Sequence, residues 1–138
     1  MIKYRKLKNW KYQIVEPYSI QTDIYPVRNL NTEFISLSVD GMLTLSKYYA
    51  WDGASGPAID TLDFMRGSLV HDALYQLCRL GLLDYKVARD KADRLLVKVC
   101  KEAGMCAFRC WYVYWGLRIF AEKAARPQAD NNIVLEAP

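Results

Sequence analysis

The chain has 138 residues, a length that can bury roughly two-thirds of its unfolded surface around one core and would starve a second domain. Its composition, 52% hydrophobic, 13% aromatic and 25% charged, excludes a disordered or collagen-like chain. The net charge of +4 is modest and gathers at the start, where Lys3, Arg5, Lys6, Lys8 and Lys11 have no acidic neighbour. Such an arm could meet an anionic lipid surface; its interleaving with Ile2, Tyr4, Leu7, Trp10 and Tyr12 reads more simply as a charged edge strand, and nothing in it asks for nucleic acid.

The first sixty residues predict strands. The clearest are two alternating runs from Phe34 to Tyr49 that flank Asp40-Gly41. A two-residue turn there would oppose Leu37 to Thr44. A three-residue loop, Val39-Asp40-Gly41 with Gly41 left-handed, pairs Leu37 with Leu43, Ile35 with Leu45 and Glu33 with Lys47, which makes one apolar face. The stretch Trp51-Asp-Gly-Ala-Ser-Gly-Pro57 then predicts a loop.

Between Thr61 and Leu80 apolar residues recur at helical spacing, and Gly81 supplies a stop. Asp84 caps a second helix with a stripe of Ala88, Ala92, Leu95, Val99 and Ala103, ended by Gly104. Met105 to Ala125, aromatic and free of proline, predicts a third helix. Arg109 and Arg118 interrupt it, which argues for a core helix against a membrane span. The expected fold is α+β: a single domain over residues 1–126, mainly β to residue 60 and mainly α after it, with 127–138 an extended tail.

Four cysteines, Cys78, Cys100, Cys106 and Cys110, form no C-x-x-C pair, and with one histidine in the chain they do not suggest a zinc site. They read as reduced, mostly buried thiols. The start carries no apolar run followed by a small-residue cleavage site, so folding in a cytoplasm without a signal peptide is the expectation.

Only Gly81, Leu82 and Leu83 separate the first two helices, which forces them to run antiparallel. His71 and Asp93 are equally far from Leu82 along the chain, so both lie roughly 16 Å from the bend. Tyr75 is level with Arg89 by the same count. A step of four stays on one helix face, so His71, Tyr75, Arg89 and Asp93 converge between the helices. Burial of four polar groups requires that they bond one another, and the spacing suggests an Arg89–Asp93 ion pair and a Tyr75 hydroxyl on Asp93. The same contacts would suit a purely structural network. His71, held by a carboxylate, has the chemistry of a general base. Asp72 points about 100° away and could face the Asp52 to Gly56 loop, where backbone carbonyls, that of Gly53 among them, and Asp52 could complete an oxygen-only, calcium-type site.

Trp51-Asp-Gly-Ala-Ser, Arg66 to His71-Asp-Ala-Leu-Tyr75 and Arg89-x-x-Ala-Asp93, in that order, resemble an uncharacterised phage and prophage family, domain of unknown function 1353, over roughly residues 30 to 120. The resemblance implies a phage origin and an α+β fold, with no settled activity. A more local likeness is to the phospholipase A2 superfamily, where a glycine-containing calcium loop precedes a helix bearing His-Asp-x-x-Tyr and an antiparallel helix bears another aspartate. By that resemblance His71 is the base, Asp93 orients it, Tyr75 supports the pair, and Asp72 binds calcium with a loop around Trp51 to Gly56. Asp60-x-x-Asp63 also looks similar. That superfamily ties its two helices by disulfides; Leu74 and Ala92 stand at the corresponding positions and can only pack. Metal phosphohydrolases with an H-D signature need several histidines, and none of the cysteines has a spacing that brings it to His71.

Two functions follow as expectations. One is a small phage accessory or virion-associated protein that acts by binding a phage or host protein, within the infected cell or the particle. The alternative is a calcium-dependent, phospholipase A2-like ester hydrolase.

Overall fold

The computed structural model describes residues 1–8, 11–53 and 61–120. Seven short strands come first: β1 (Tyr4–Lys6), β2 (Tyr12–Ile14), β3 (Tyr18–Gln21), β4 (Leu30–Asn31), β5 (Ile35–Leu37), β6 (Met42–Leu45) and β7 (Ala50–Trp51). Three helices follow: α1 (Leu62–Arg79), α2 (Tyr85–Glu102) and α3 (Ala107–Phe120). The strands form two antiparallel sheets, ordered β1-β2-β7 and β3-β6-β5-β4. This is the expected α+β fold.

The β5–β6 hairpin takes the apolar register, with Leu37 opposite Leu43 and Ile35 opposite Leu45. Gly41 closes it at φ +83, and an added Cβ would lie 2.8 Å from the Thr22 carbonyl oxygen, so sterics and backbone conformation both demand glycine there. The Glu33–Lys47 pair expected beyond the hairpin falls past the last ladder pair. There the chain turns away through Tyr48 at φ +77, and the Lys47 ammonium sits 4.9 Å over the Tyr48 ring. The basic start does form an edge strand, β1, stitched by Lys3 to Glu16 and Arg5 to Gln13.

Trp51 departs from the loop expected of it. It pairs with Tyr12 as the end of β7 and buries its ring, with Nε1 donating to Ser68 Oγ at 3.0 Å. The indole thereby fastens the first sheet to α1, a long-range gain that outweighs the turn-forming residues after it.

Helix α1 begins after Thr61, whose hydroxyl bonds the Asp63 carboxylate rather than the backbone. It ends at Leu80 and Gly81, the latter at φ +74. Asp84 caps α2 by accepting from the Lys86 N–H at 3.0 Å. Ala88, Ala92, Leu95 and Val99 are buried as the periodicity requires, whereas Ala103, the C-cap residue, is exposed. One apolar cluster joins Ile14, Leu37, Leu43 and Leu45 of the sheets to Leu69, Leu74, Leu77, Leu95 and Val99 of the helices. Each fully buried aliphatic side chain there stabilises by about 1.5–3 kcal/mol. Gly67 lets α1 lie close to α2: a Cβ there would lie 2.7 Å from Cys100 Sγ and 3.0 Å from the Leu96 carbonyl oxygen.

A second cluster, Phe64, Leu96, Cys100, Met105, Cys110 and Val113, seats α3 on that pair. Helix α3 is described to Phe120; the expected continuation to Ala125 and the tail lie outside the described residues, as does Asp60. Among the described residues, no helix is long and apolar enough to cross a membrane. The four cysteines are free, with Cys106 exposed and the others buried.

Candidate functional site

The short bend places His71 of α1 against Asp93 of α2, as the equal count from Leu82 demands. Nε2 of His71 lies 2.7 Å from Asp93 Oδ1. The Tyr75 hydroxyl donates to the same oxygen at 2.5 Å, and its ring lies 3.9 Å, centroid to centroid, from the imidazole. Arg118 of α3 donates to Asp93 Oδ2 at 3.2 Å. Asp93 is wholly buried, while the His71 side chain keeps 7% of its surface exposed.

Asp93 therefore accepts from three side chains. With the carboxylate as common acceptor, Nε2 is the donating nitrogen of His71, and in the tautomer that matches this contact the lone pair falls on Nδ1. Burial, then the nearby Asp93 charge, push the Tyr75 hydroxyl well above the ordinary tyrosine range, so it serves as a fixed neutral donor.

Arg89 does not pair with Asp93. Its guanidinium donates to the carbonyl oxygens of Leu117 at 3.0 Å and Arg118 at 2.7 Å. These carbonyls lie toward the end of the described part of α3, so the buried cation ties α2 to α3 through backbone acceptors. Arg89 lies within hydrogen-bonding reach of the Tyr75 hydroxyl as well. Its Nε is buried and has no partner among the described residues. Arg118 takes the role assigned to Arg89, and also lies 3.5 Å from Asp90. An interruption of an apolar run marked Arg118 in the sequence, but its partner depends on how α3 packs, which no local spacing reveals.

Asp72 faces the other way, as the helical angle requires, toward Asp52. The Asp52 backbone N–H bonds its carboxyl group, and burial pushes the Asp72 pKa up to about 6, with the Asp52 charge adding to the rise. The Asp52 side chain is largely exposed and lies 4.0 Å from the Lys11 ammonium. Gly53 is buried at φ +80. Calcium takes six to eight oxygens, and the described part of this loop turns an N–H donor, not a carbonyl, toward Asp72. Among the described residues no group of three or more histidine, cysteine, aspartate or glutamate side chains is arranged to hold a metal ion. Residues 54–57 of the expected loop lie outside the described residues.

Leu74 and Ala92, the positions without the disulfide, are fully buried and pack in the main cluster. Burial pushes the Cys78 thiol up to about 11 and the Cys100 thiol up to about 12, which suppresses the thiolates a cysteine nucleophile would need.

The chain matches no protein-family model, no curated protein and no solved structure. Its site is therefore read from its own geometry.

Proposed function

We propose that this chain is an ester hydrolase in which His71 is the general base and Asp93 orients it. The observation that carries the reading is the 2.7 Å contact between Nε2 and Asp93, which directs the lone pair of Nδ1 away from the carboxylate. Replacing a buried polar network by apolar residues is often neutral or stabilising, so stability alone does not call for a histidine, a tyrosine and an arginine around one carboxylate, and chemistry gives them a use. The resemblance to the phospholipase A2 superfamily points to the same class and rests on the motif residues alone.

In this reading Nδ1 holds a water beside an ester carbonyl. As the water oxygen bonds to the carbonyl carbon, Nδ1 takes its proton; Asp93, on the far nitrogen, stabilises the resulting imidazolium. The imidazolium then returns the proton to the departing alkoxide. Tyr75 and Arg118 keep Asp93 from rotating. A bound calcium would polarise the carbonyl. Asp72 and Asp52 are the described side chains that could contribute to holding it, but they do not by themselves complete a cage, and no step is assigned to it.

The test is hydrolysis of short- and medium-chain nitrophenyl esters by the full chain, with and without millimolar calcium. His71→Asn keeps a polar group of similar reach and should lower kcat by roughly 100- to 10,000-fold, with a folded near-ultraviolet spectrum. A wild-type chain that is inert under both conditions would sink the reading.

A second reading, a phage-encoded accessory or virion protein that works by binding, is favoured by the exposed aromatic face of α3. It gains if ester hydrolysis is absent while the Asp93 network proves important for folding.

A further inference from the structure

Helix α3 is apolar on two opposite faces. Cys110 and Val113 are buried against α1 and α2. Phe108, Trp111, Tyr112, Trp115 and Ile119 recur at steps of three and four on the other side, within about 100° of arc. They are open to solvent, from 44% at Tyr112 to 75% at Phe108. A helix apolar all round is ordinarily covered.

We propose that this outer face is the two-fold seam of a homodimer, with α3 packed antiparallel on α3 of a second copy. The shape is that of a helix-packing surface. Tyr112, Trp115, Gly116 and Ile119 stand at i, i+3, i+4 and i+7, the outline of a hole that accepts one side chain from a facing helix. A Cβ on Gly116 would meet nothing within 4 Å, so the floor of that hole is open.

The area is also sufficient. Large aromatic side chains offer about 150–250 Å² each, so a stripe exposed by half to three-quarters presents roughly 500–600 Å² per chain. Pairing two stripes removes about 1,000–1,200 Å² from water, at the lower edge of specific association. A two-fold axis through the stripe covers both copies and leaves no apolar face to propagate.

The charges of α3 itself give an anionic surface little hold. The two arginines of α3 already face acids: Arg109 lies 3.5 Å from Asp63, and Arg118 lies 3.2 Å from Asp93. Each chain carries +4, so association of two copies strengthens as salt screens their repulsion, whereas binding to phosphate headgroups weakens.

Sedimentation equilibrium of the full chain tests this. The expected result is a reversible monomer–dimer equilibrium with Kd on the order of 10 µM, tightening with added salt. Trp111→Glu should weaken it by at least about tenfold. Gly116→Leu should do the same by filling the hole while leaving the thermal midpoint of dilute protein unchanged or higher, because leucine is the better helix former. A single monomeric mass up to about 500 µM, or a dimer indifferent to both substitutions, overturns the proposal. So does a monomer that binds phosphatidylglycerol vesicles with a blue-shifted tryptophan emission, which assigns the face to lipid.

Discussion

Two neighbouring aspartate environments in this molecule solve burial in opposite ways. Asp93, between the helices, has no exposed surface and collects hydrogen bonds from His71, Tyr75 and Arg118. Asp72, one residue from His71, lies against the Asp52 loop with a backbone N–H as donor, and burial pushes its pKa up to about 6. The difference teaches that burial alone does not decide what a carboxylate contributes; the donors arranged around it do. The first environment joins three helices. The second stores an electrostatic penalty at the junction of sheet and helix.

The largest expected effect comes from breaking the first environment. Asp93→Ala strands an imidazole, a tyrosine hydroxyl and an arginine in or beside the core, and loss of one partner from a buried charged network typically costs about 3–5 kcal/mol. Urea denaturation near neutral pH should show that loss as a lower midpoint with an unchanged slope. A loss below about 1 kcal/mol would mean that water reaches the site freely and that the two environments differ less than their geometry implies.

The second environment predicts the opposite sign. The folded-state pKa of Asp72 is raised from 3.8 to about 6, so between these values the folded chain binds more protons than the unfolded one. Stability contributed by protonated Asp72 is therefore present at low pH and lost as pH rises from about 4 to about 6. Asp72→Asn removes that penalty. It should raise stability at pH 7.5 by on the order of 2 kcal/mol and flatten this part of the pH profile in a series of urea melts. If calcium does bind there, the wild-type penalty should shrink in millimolar calcium and the variant should not respond.

Much of this contrast was legible in the sequence, because it follows from helix geometry and one short bend. Equal distance from Leu82 brought His71 level with Asp93, the step of four added Tyr75, and the 100° rotation sent Asp72 toward Asp52. The hairpin register was legible for a similar reason, since only one loop length aligns Leu37 with Leu43. What was hidden depends on long side chains and on packing between distant segments. Arg89 reaches past its own helix to carbonyls of α3, and Arg118 replaces it at Asp93; neither choice is encoded in local spacing. Trp51 was hidden likewise, because its loop-like neighbours speak for a turn while its indole answers to Ser68. In α3, apolar residues on both faces erased the periodicity that elsewhere told inside from outside.

Gly81 offers the smallest and most selective test of the contrast. It ends α1 in the left-handed region at φ +74, yet a Cβ there would meet no atom within 4 Å, so Gly81→Ala changes backbone preference without a clash. The cost should be about 1 kcal/mol, seen as a small fall in the urea midpoint. If strain at the bend shifts α2 along α1, the His71 imidazole resonances and the protection of the Asp93 amide should change, because that pair bridges the two helices. The Asp72 region, which faces Asp52, should keep its pH dependence. Equal disturbance of both would show that the bend supports the helical pair as a whole, so that the two carboxylates are parts of a single cooperative environment after all.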